Sequence, residues 1–200
     1  MKTLLITAFE PFGGESENPS MLVLERLSDQ IGALRLEKRL LGVTFKGAAE
    51  DISQYISEIK PDYAICLGQA GGRAAITPER VAINIMDARM ADNSGFTPTD
   101  EPVCPAGPDA YFATLPIKRM VKAIEGAGIP AAVSNSAGTY VCNSTMYALL
   151  NSISRLGLST KAGFIHVPYL PKQVIGKSGV ASMSLDDMVR GITAAIDCLE

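Results

Sequence analysis

The sequence has no apolar run approaching the ~20 residues that a membrane-spanning helix needs. Its basic residues never exceed two in succession. Lys38–Arg39 and Lys118–Arg119 are isolated pairs, and the formal net charge is −3. Neither nucleic acid nor a membrane surface is therefore expected as a partner. No G-x-G-x-x-G or Walker pattern suggests a bound nucleotide, and no cofactor is expected. The four cysteines, Cys66, Cys104, Cys142 and Cys198, include no C-x-x-C pair. That spacing argues against a zinc site or a disulfide framework and for free thiols. No repeat, low-complexity segment or linker breaks the chain.

What is present fits one compact domain, residues 1–200, with 47% hydrophobic and 20% charged residues. The apolar run Thr3–Phe9 is too short for a secretion signal and reads as a first strand, so the expected compartment is the cytoplasm. Lys2–Ala8 is that buried strand. Asn18 caps a helix that Pro19 opens and that carries Met21, Leu22, Leu24, Leu27 and Ile31. Leu34–Val43 reads as a second strand with a polar middle, nearer an edge. Phe45, Ala49, Ile52, Ile56 and Ile59 mark a helix stopped by Pro61. Tyr63–Leu67 is a strand entering the loop Gly68–Arg73. Arg80–Met86 alternates, with Val81, Ile83 and Ile85 on one face. Ile117, Met120, Val121 and Ile124 mark a helix ending at Gly126 and Gly128. Ala162–Val167 is a further strand. Ser184 caps a last helix whose buried face is Leu185, Met188, Ile192, Ala195, Ile196 and Leu199. Strands alternating with helices predict an α/β fold, an α/β/α sandwich around a mostly parallel twisted sheet. Two long segments, Asp87–Pro108 and Pro168–Ala181, read as functional or interface loops.

The most informative stretch is Ser134–Leu150. An apolar strand at Ala131–Val133 leads through a turn at Gly138 into a helix with Met146, Leu149, Leu150 and Ile153 at helical spacing. Cys142 stands where that helix begins. Unpaired N–H groups and the positive end of the dipole there favour a thiolate. The chain has a single histidine, His166, at the end of the following strand. In a parallel sheet both residues face one crevice, which is the minimum equipment for thiol catalysis. Glu10, Glu79, Asp87 and Asp92 lie on loops at that edge and are all candidates to orient the imidazole. Phe9, Phe12 and the glycine-rich loops suggest an apolar pocket wall, and Arg89 a cation for an oxyanion. The same residues are compatible with a hydrolase that uses no covalent thiol, and with a binding module that retains the fold.

The motifs G-T-Y-V-C-N at Gly138–Asn143, F-E-P-F-G-G at Phe9–Gly14, G-Q-A-G-G-R at Gly68–Arg73, P-E-R-V-A-I-N at Pro78–Asn84 and F-I-H-V-P-Y at Phe164–Tyr169 occur together. With these motifs the chain resembles pyroglutamyl peptidase I, also called pyrrolidone carboxyl peptidase, from Lys2 to the last helix. The resemblance implies a cysteine peptidase that removes N-terminal pyroglutamyl residues from peptides. It implies Cys142 as nucleophile, His166 as general base and acid, and Glu79 as the orienting acid, with Asp92 a supporting acid. It implies Phe9, Phe12, Asn18 and Gln69 as the pyroglutamyl pocket and Arg89 near the oxyanion. It further implies a cytoplasmic homotetramer that uses no metal or cofactor.

Overall fold

The computed structural model describes residues 1–200. Eight strands, five α-helices and one 3₁₀ turn follow the chain as β1 (Lys2–Phe9), α1 (Pro19–Arg26), β2 (Gln30–Ile31), β3 (Leu34–Leu41), α2 (Phe45–Ile59), β4 (Tyr63–Gln69), β5 (Thr77–Pro78), β6 (Val81–Ile83), β7 (Ala110–Phe112), α3 (Ile117–Gly126), α4 (Val141–Arg155), β8 (Lys161–Val167), the 3₁₀ turn Pro171–Val174, and α5 (Leu185–Asp197). Six strands form one sheet in the order β2-β3-β1-β4-β8-β5. Its central four, β3, β1, β4 and β8, are parallel, and the short edges β2 and β5 run antiparallel. The parallel strands are covered on both faces, which is why they read as continuous apolar runs.

Alternation within each strand divides the core. Leu4, Ile6 and Ala8 of β1, with Ile65 and Leu67 of β4, pack under α1, α3 and α5. Leu5 and Phe9, with Ala64, Cys66 and Phe164, pack under α2 and α4. From β1 the chain passes to β3, then returns across β1 to β4. The connections therefore diverge between β1 and β4, and a crevice opens at that switch point beyond their C-terminal ends. Phe12 and Asn18 follow the end of β1, and Gln69 ends β4.

Three expectations need correction. The first helix stops at Arg26, and Ile31 sits instead in β2, buried on the same side of the sheet. Ala131–Val133 is not a buried strand. Residues 130–134 run along Ile76–Arg80 through four backbone bonds, outside the sheet edge, with Ala132 exposed. Pro78 lacks an N–H, so this edge cannot extend as a regular ladder. In Arg80–Met86 the face is inverted. β6 pairs only with β7, Ala82 is the buried residue, and Ile85 is 38% exposed. The strand lies against α4 through its backbone, because Asn143 Oδ1 accepts from Ile83 N–H and Nδ2 donates to the carbonyls of Ile83 and Ile85.

The remaining helices follow the pattern of the sequence. Asn18 caps α1 by accepting from Ser20 N–H, and Ser184 caps α5 by accepting from Asp187 N–H. Thr44 at the start of α2 makes no side-chain cap. Asp92 supplies it from the long Asp87–Pro108 segment. Its Oδ2 accepts from Phe45 N–H at 2.9 Å, while Oδ1 accepts from Ser94 N–H, Ser94 Oγ and Phe96 N–H. One buried carboxylate thus fixes both a helix end and a loop. Replacing it by alanine orphans several donors at once. Asp92→Ala is expected to cost about 2 kcal/mol, lowering the melting temperature by about 4–8 °C. A thermal melt that matches the parent's would show that the loop holds itself.

Candidate active site

His166 lies one residue from the end of β8, on the face shared with Phe164 two residues before it; their rings are 4.7 Å apart. β5 pairs with β8 so that Thr77 opposes His166, and Glu79 N–H donates to the Phe164 carbonyl at 2.9 Å. This register delivers the Glu79 side chain to the imidazole. Glu79 Oε1 accepts from His166 Nδ1 at 2.7 Å, and both residues are buried. Arg73 donates to the same oxygen at 2.7 Å, to Thr77 Oγ1 at 2.5 Å and to the Ser136 carbonyl at 3.2 Å. Glu79 Oε2 is buried without a hydrogen-bond partner.

These contacts set the charges. Burial opposes ionisation of Glu79, but the hydrogen bond and charge of His166, with the neighbouring Ser134 hydroxyl and the Arg73 guanidinium, outweigh it and hold the carboxyl below its ordinary value. Burial holds the imidazole below its ordinary value of 6.5, against the pull of Glu79, and the Arg73 charge adds to the depression. The resting state is an ionised Glu79 beneath a neutral His166. Nδ1 then carries the proton that Glu79 accepts, and Nε2 presents its lone pair.

Cys142 occupies the second position of α4, after the turn at Gly138, whose φ of +78° suits glycine. Its sulfur rests over Gly68, the residue that pairs with His166 across β4 and β8. A Cβ at Gly68 would lie 3.0 Å from Sγ and 2.7 Å from the Phe164 ring. Cys142 and His166 line the same cavity, with no hydrogen bond joining sulfur to imidazole in this state. Two influences not visible in the sequence oppose the expected thiolate. Burial, followed by the Glu79 charge, pushes the Cys142 thiol up to about 12, against Arg73 and the residue's own N–H. The helix N-terminus is present, but desolvation beside a carboxylate outweighs it.

Two spaces meet at that sulfur. One is a narrow slot of about 10 Å³, nearly filled by its own walls, with Phe9, Phe12 and Tyr140 as aromatic sides, Val43 and Val141 beside them, and Asn18 and Gln69 as its polar side chains. The other is an open groove along Gly71, Arg73, Ser136, Gly138 and Tyr169. Phe9, Phe12, Asn18 and Gln69 are thus brought together with Cys142. Arg89 and Asp92 are not. The Arg89 side chain is exposed, lines neither space and makes no ion pair. Asp92 is spent on capping α2 and makes no bond to His166, so it does not support the imidazole. Among the acids left open by the sequence, Glu79 is the one that reaches the ring. Arg73, Tyr140 and Gln173 were missed. The first two lie within the motifs quoted above, but their types alone assign no role. Gln173, whose amide donates to Gln69 Oε1, lies outside every motif. Nowhere do three or more His, Cys, Asp or Glu side chains converge as metal ligands would.

A cysteine at a helix N-terminus that shares a cavity with a buried His–Glu pair, beside a narrow apolar slot, is the arrangement of a thiol hydrolase built on an α/β fold. The chain belongs to the pyroglutamyl peptidase family, whose model matches residues 1–200. It is 55% identical over 193 residues to a pyrrolidone-carboxylate peptidase of Thermococcus onnurineus, covering 96% of each chain. It is 53% identical to pyrrolidone-carboxylate peptidase 1 of Caldanaerobacter subterraneus, with 96% and 95% covered. Among solved structures, pyroglutamyl peptidase I of Bacillus amyloliquefaciens superposes with a TM-score of 0.95 at 43% identity, over 100% of this chain and 97% of that one. Pyrrolidone carboxyl peptidase of Thermococcus litoralis gives the same TM-score and identity, over 100% and 93%.

The charge state is open to direct measurement. His166 binds fewer protons folded than unfolded, so stability should fall as pH drops below about 6.5, and Glu79 adds a second loss below its ordinary 4.5. Alkylation of Cys142 by iodoacetamide, followed by peptide mapping, should keep accelerating from pH 7 beyond pH 9. A plateau between pH 6 and 8 would instead reveal a resting thiolate–imidazolium pair.

Proposed function

We infer that this protein is a cysteine peptidase that removes N-terminal pyroglutamyl residues from peptides, with Cys142 as nucleophile, His166 as general base and acid, and Glu79 as the orienting acid. The observation that carries this reading is the narrow slot abutting the Cys142 sulfur. It is apolar except for two amides and holds no carboxylate. A free amino terminus is a cation and calls for an anionic partner. A lactam is neutral and calls for apolar walls with a few polar contacts.

The mechanism follows from the positions. The pyroglutamyl ring enters between Phe9 and Phe12, whose side chains part to widen the slot, with Asn18 and Gln69 at its polar edge. Its acyl carbon meets Sγ at the mouth of the slot. Because thiol and imidazole are both neutral at rest, proton transfer from Sγ to His166 Nε2 accompanies attack. Glu79 stabilises the imidazolium so formed. The tetrahedral oxyanion is received by the Cys142 N–H in the first turn of α4, where backbone donors lack helical partners. His166 returns the proton to the leaving amine, and the peptide departs through the open groove. A water activated by His166 then cleaves the thioester and releases pyroglutamate. The groove is open, so it places little restriction on the residue after pyroglutamate.

Residues 1–200 are read as one peptidase domain, because β1, from the start of the chain, and β8, from near its end, flank the same β4. A cytoplasmic setting is supported by four free cysteines, and no helix is long and apolar enough to cross a membrane. Assembly into a homotetramer is supported by large apolar side chains left in solvent, Phe112 at 70% and Ile175 at 82% exposure. Sedimentation equilibrium tests it, and a monomer at all concentrations would remove it.

With a pyroglutamyl–coumarin amide as substrate, Cys142→Ala should abolish cleavage while leaving the melting temperature within about 2 °C of the parent. Glu79→Ala should lower kcat/KM by roughly 10²–10⁴-fold, and Asp92→Ala by much less. Full turnover by Cys142→Ala would end the thiol mechanism, and the reverse order of the two acids would reassign the orienting role.

A further inference from the structure

The two amides in the slot are not free to choose which end they present. Asn18 Oδ1 accepts from Ser20 N–H at 3.0 Å and from Ser20 Oγ at 2.8 Å, and its Nδ2 donates to the Glu10 carbonyl at 3.0 Å. A backbone N–H only donates and a backbone carbonyl only accepts, so this orientation is fixed. Asn18 therefore has one amide N–H left over. Gln69 makes no bond to the backbone, and its orientation is inherited from a second glutamine. Gln173, in the 3₁₀ turn and 8% exposed, accepts from Leu170 N–H through Oε1 at 2.9 Å. Its other end must then be Nε2, which donates to Gln69 Oε1 at 2.9 Å. The oxygen of Gln69 is thereby turned toward Gln173 with one lone pair occupied, and its NH₂ is the end left without a protein partner.

We propose that Gln173, which itself lines neither the slot nor the groove, is a specificity-positioning residue: by holding Gln69 as a hydrogen-bond donor it makes the slot select an acyl ring that carries a carbonyl acceptor. The inference rests on the slot being the acyl site, and it adds which feature of the ring is read. With Asn18 and Gln69 both offering N–H, the lactam oxygen satisfies them. A prolyl ring of the same size brings a CH₂ to that place and leaves both donors unpaired. The recognising amides follow β1 and β4, but the group that sets one of them belongs to the loop after β8.

The test exchanges the donor of Gln173 for an acceptor. Gln173→Glu keeps an oxygen for Leu170 N–H but, when ionised, presents a second oxygen to Gln69, which must turn its NH₂ away from the slot. At pH 8, KM for the pyroglutamyl–coumarin amide and the Kd of 2-pyrrolidone by calorimetry should both rise about 10–100-fold, with kcat within about threefold of the parent. Lowering the pH protonates the carboxyl, restores a donor to Gln69 Oε1 and should bring both constants back down. A role confined to shaping the turn would not produce that recovery. Gln173→Met, which frees Gln69 to rotate, should raise both constants about 3–10-fold without pH dependence and decides the matter if Gln173→Glu does not fold. Parental KM and Kd in the folded variants, or a fall in kcat at constant KM, would overturn the proposal. Cleavage by the parent protein with unaffected variants would do so while leaving the function standing. Binding of 2-pyrrolidone that depends on Gln173, without cleavage by the parent, would do the opposite.

Discussion

The bond between Glu79 and His166 Nδ1 governs the rest of the site. An ionised carboxylate buried alone costs on the order of several kcal/mol, and here Oε2 has no partner at all. The two charge-assisted bonds on Oε1, from His166 and Arg73, offset that cost. Their geometry is a product of sheet register. Thr77 opposes His166 at the antiparallel edge, and Glu79 is anchored to the Phe164 carbonyl. A slip of one residue would turn His166 to the opposite face, under α1 and α5, and leave Glu79 without its partner. The short β5 is therefore the element that sets a buried carboxylate against the strand histidine.

That arrangement constrains how the sulfur acts. A carboxylate close enough to orient the imidazole is also close enough to repel a thiolate, and burial acts in the same direction. The first turn of α4 therefore contributes more to the reaction than to the resting state. Its free N–H groups face a neutral thiol until the carbonyl is attacked, when a full charge develops on oxygen beside them. Donors preorganised for a charge that exists only in the transition state lower the barrier without stabilising the bound ground state. Arg73 works on the same principle. Held by Glu79, Thr77 and the Ser136 carbonyl, it ties the acid to the loop that precedes Cys142, so the two halves of the site are fixed relative to one another.

Local pattern carried most of the architecture. The 3.6-residue spacing of Met146, Leu149, Leu150 and Ile153, the caps Asn18 and Ser184 and the apolar runs of β1, β4 and β8 were all legible, because each is decided by neighbours in sequence. What failed was decided from afar. Whether Ala131–Val133 joins the sheet depends on Pro78. Which face of Val81–Ile85 is buried depends on Asn143 gripping its backbone. Asp92 reads as one more acid in a polar loop, and only the fold shows that it caps a helix whose own Thr44 does not. Family motifs suggested Cys142, His166 and Glu79 as a set, but physics alone left four acids open. The expected thiolate is opposed by desolvation, which, unlike a helix dipole, is not visible in sequence.

The six residues Gly68–Arg73 show how tightly those long-range demands are packed into one turn. Gly68 must lack a Cβ, because Sγ of Cys142 and the Phe164 ring occupy that space. Gln69 is the last residue of β4 and the first polar group of the slot. Gly71 must lack a Cβ because the Tyr169 ring lies against it, closing one wall of the groove. Arg73 returns to Glu79. The turn thus meets the Cys142 sulfur, the slot, the groove and the Glu79 carboxylate in succession. None of these partners is a sequence neighbour, so a substitution within it disturbs a contact made elsewhere in the chain. The shape of this loop is where the switch point of the sheet, a general consequence of its strand order, becomes selective for one kind of amide bond.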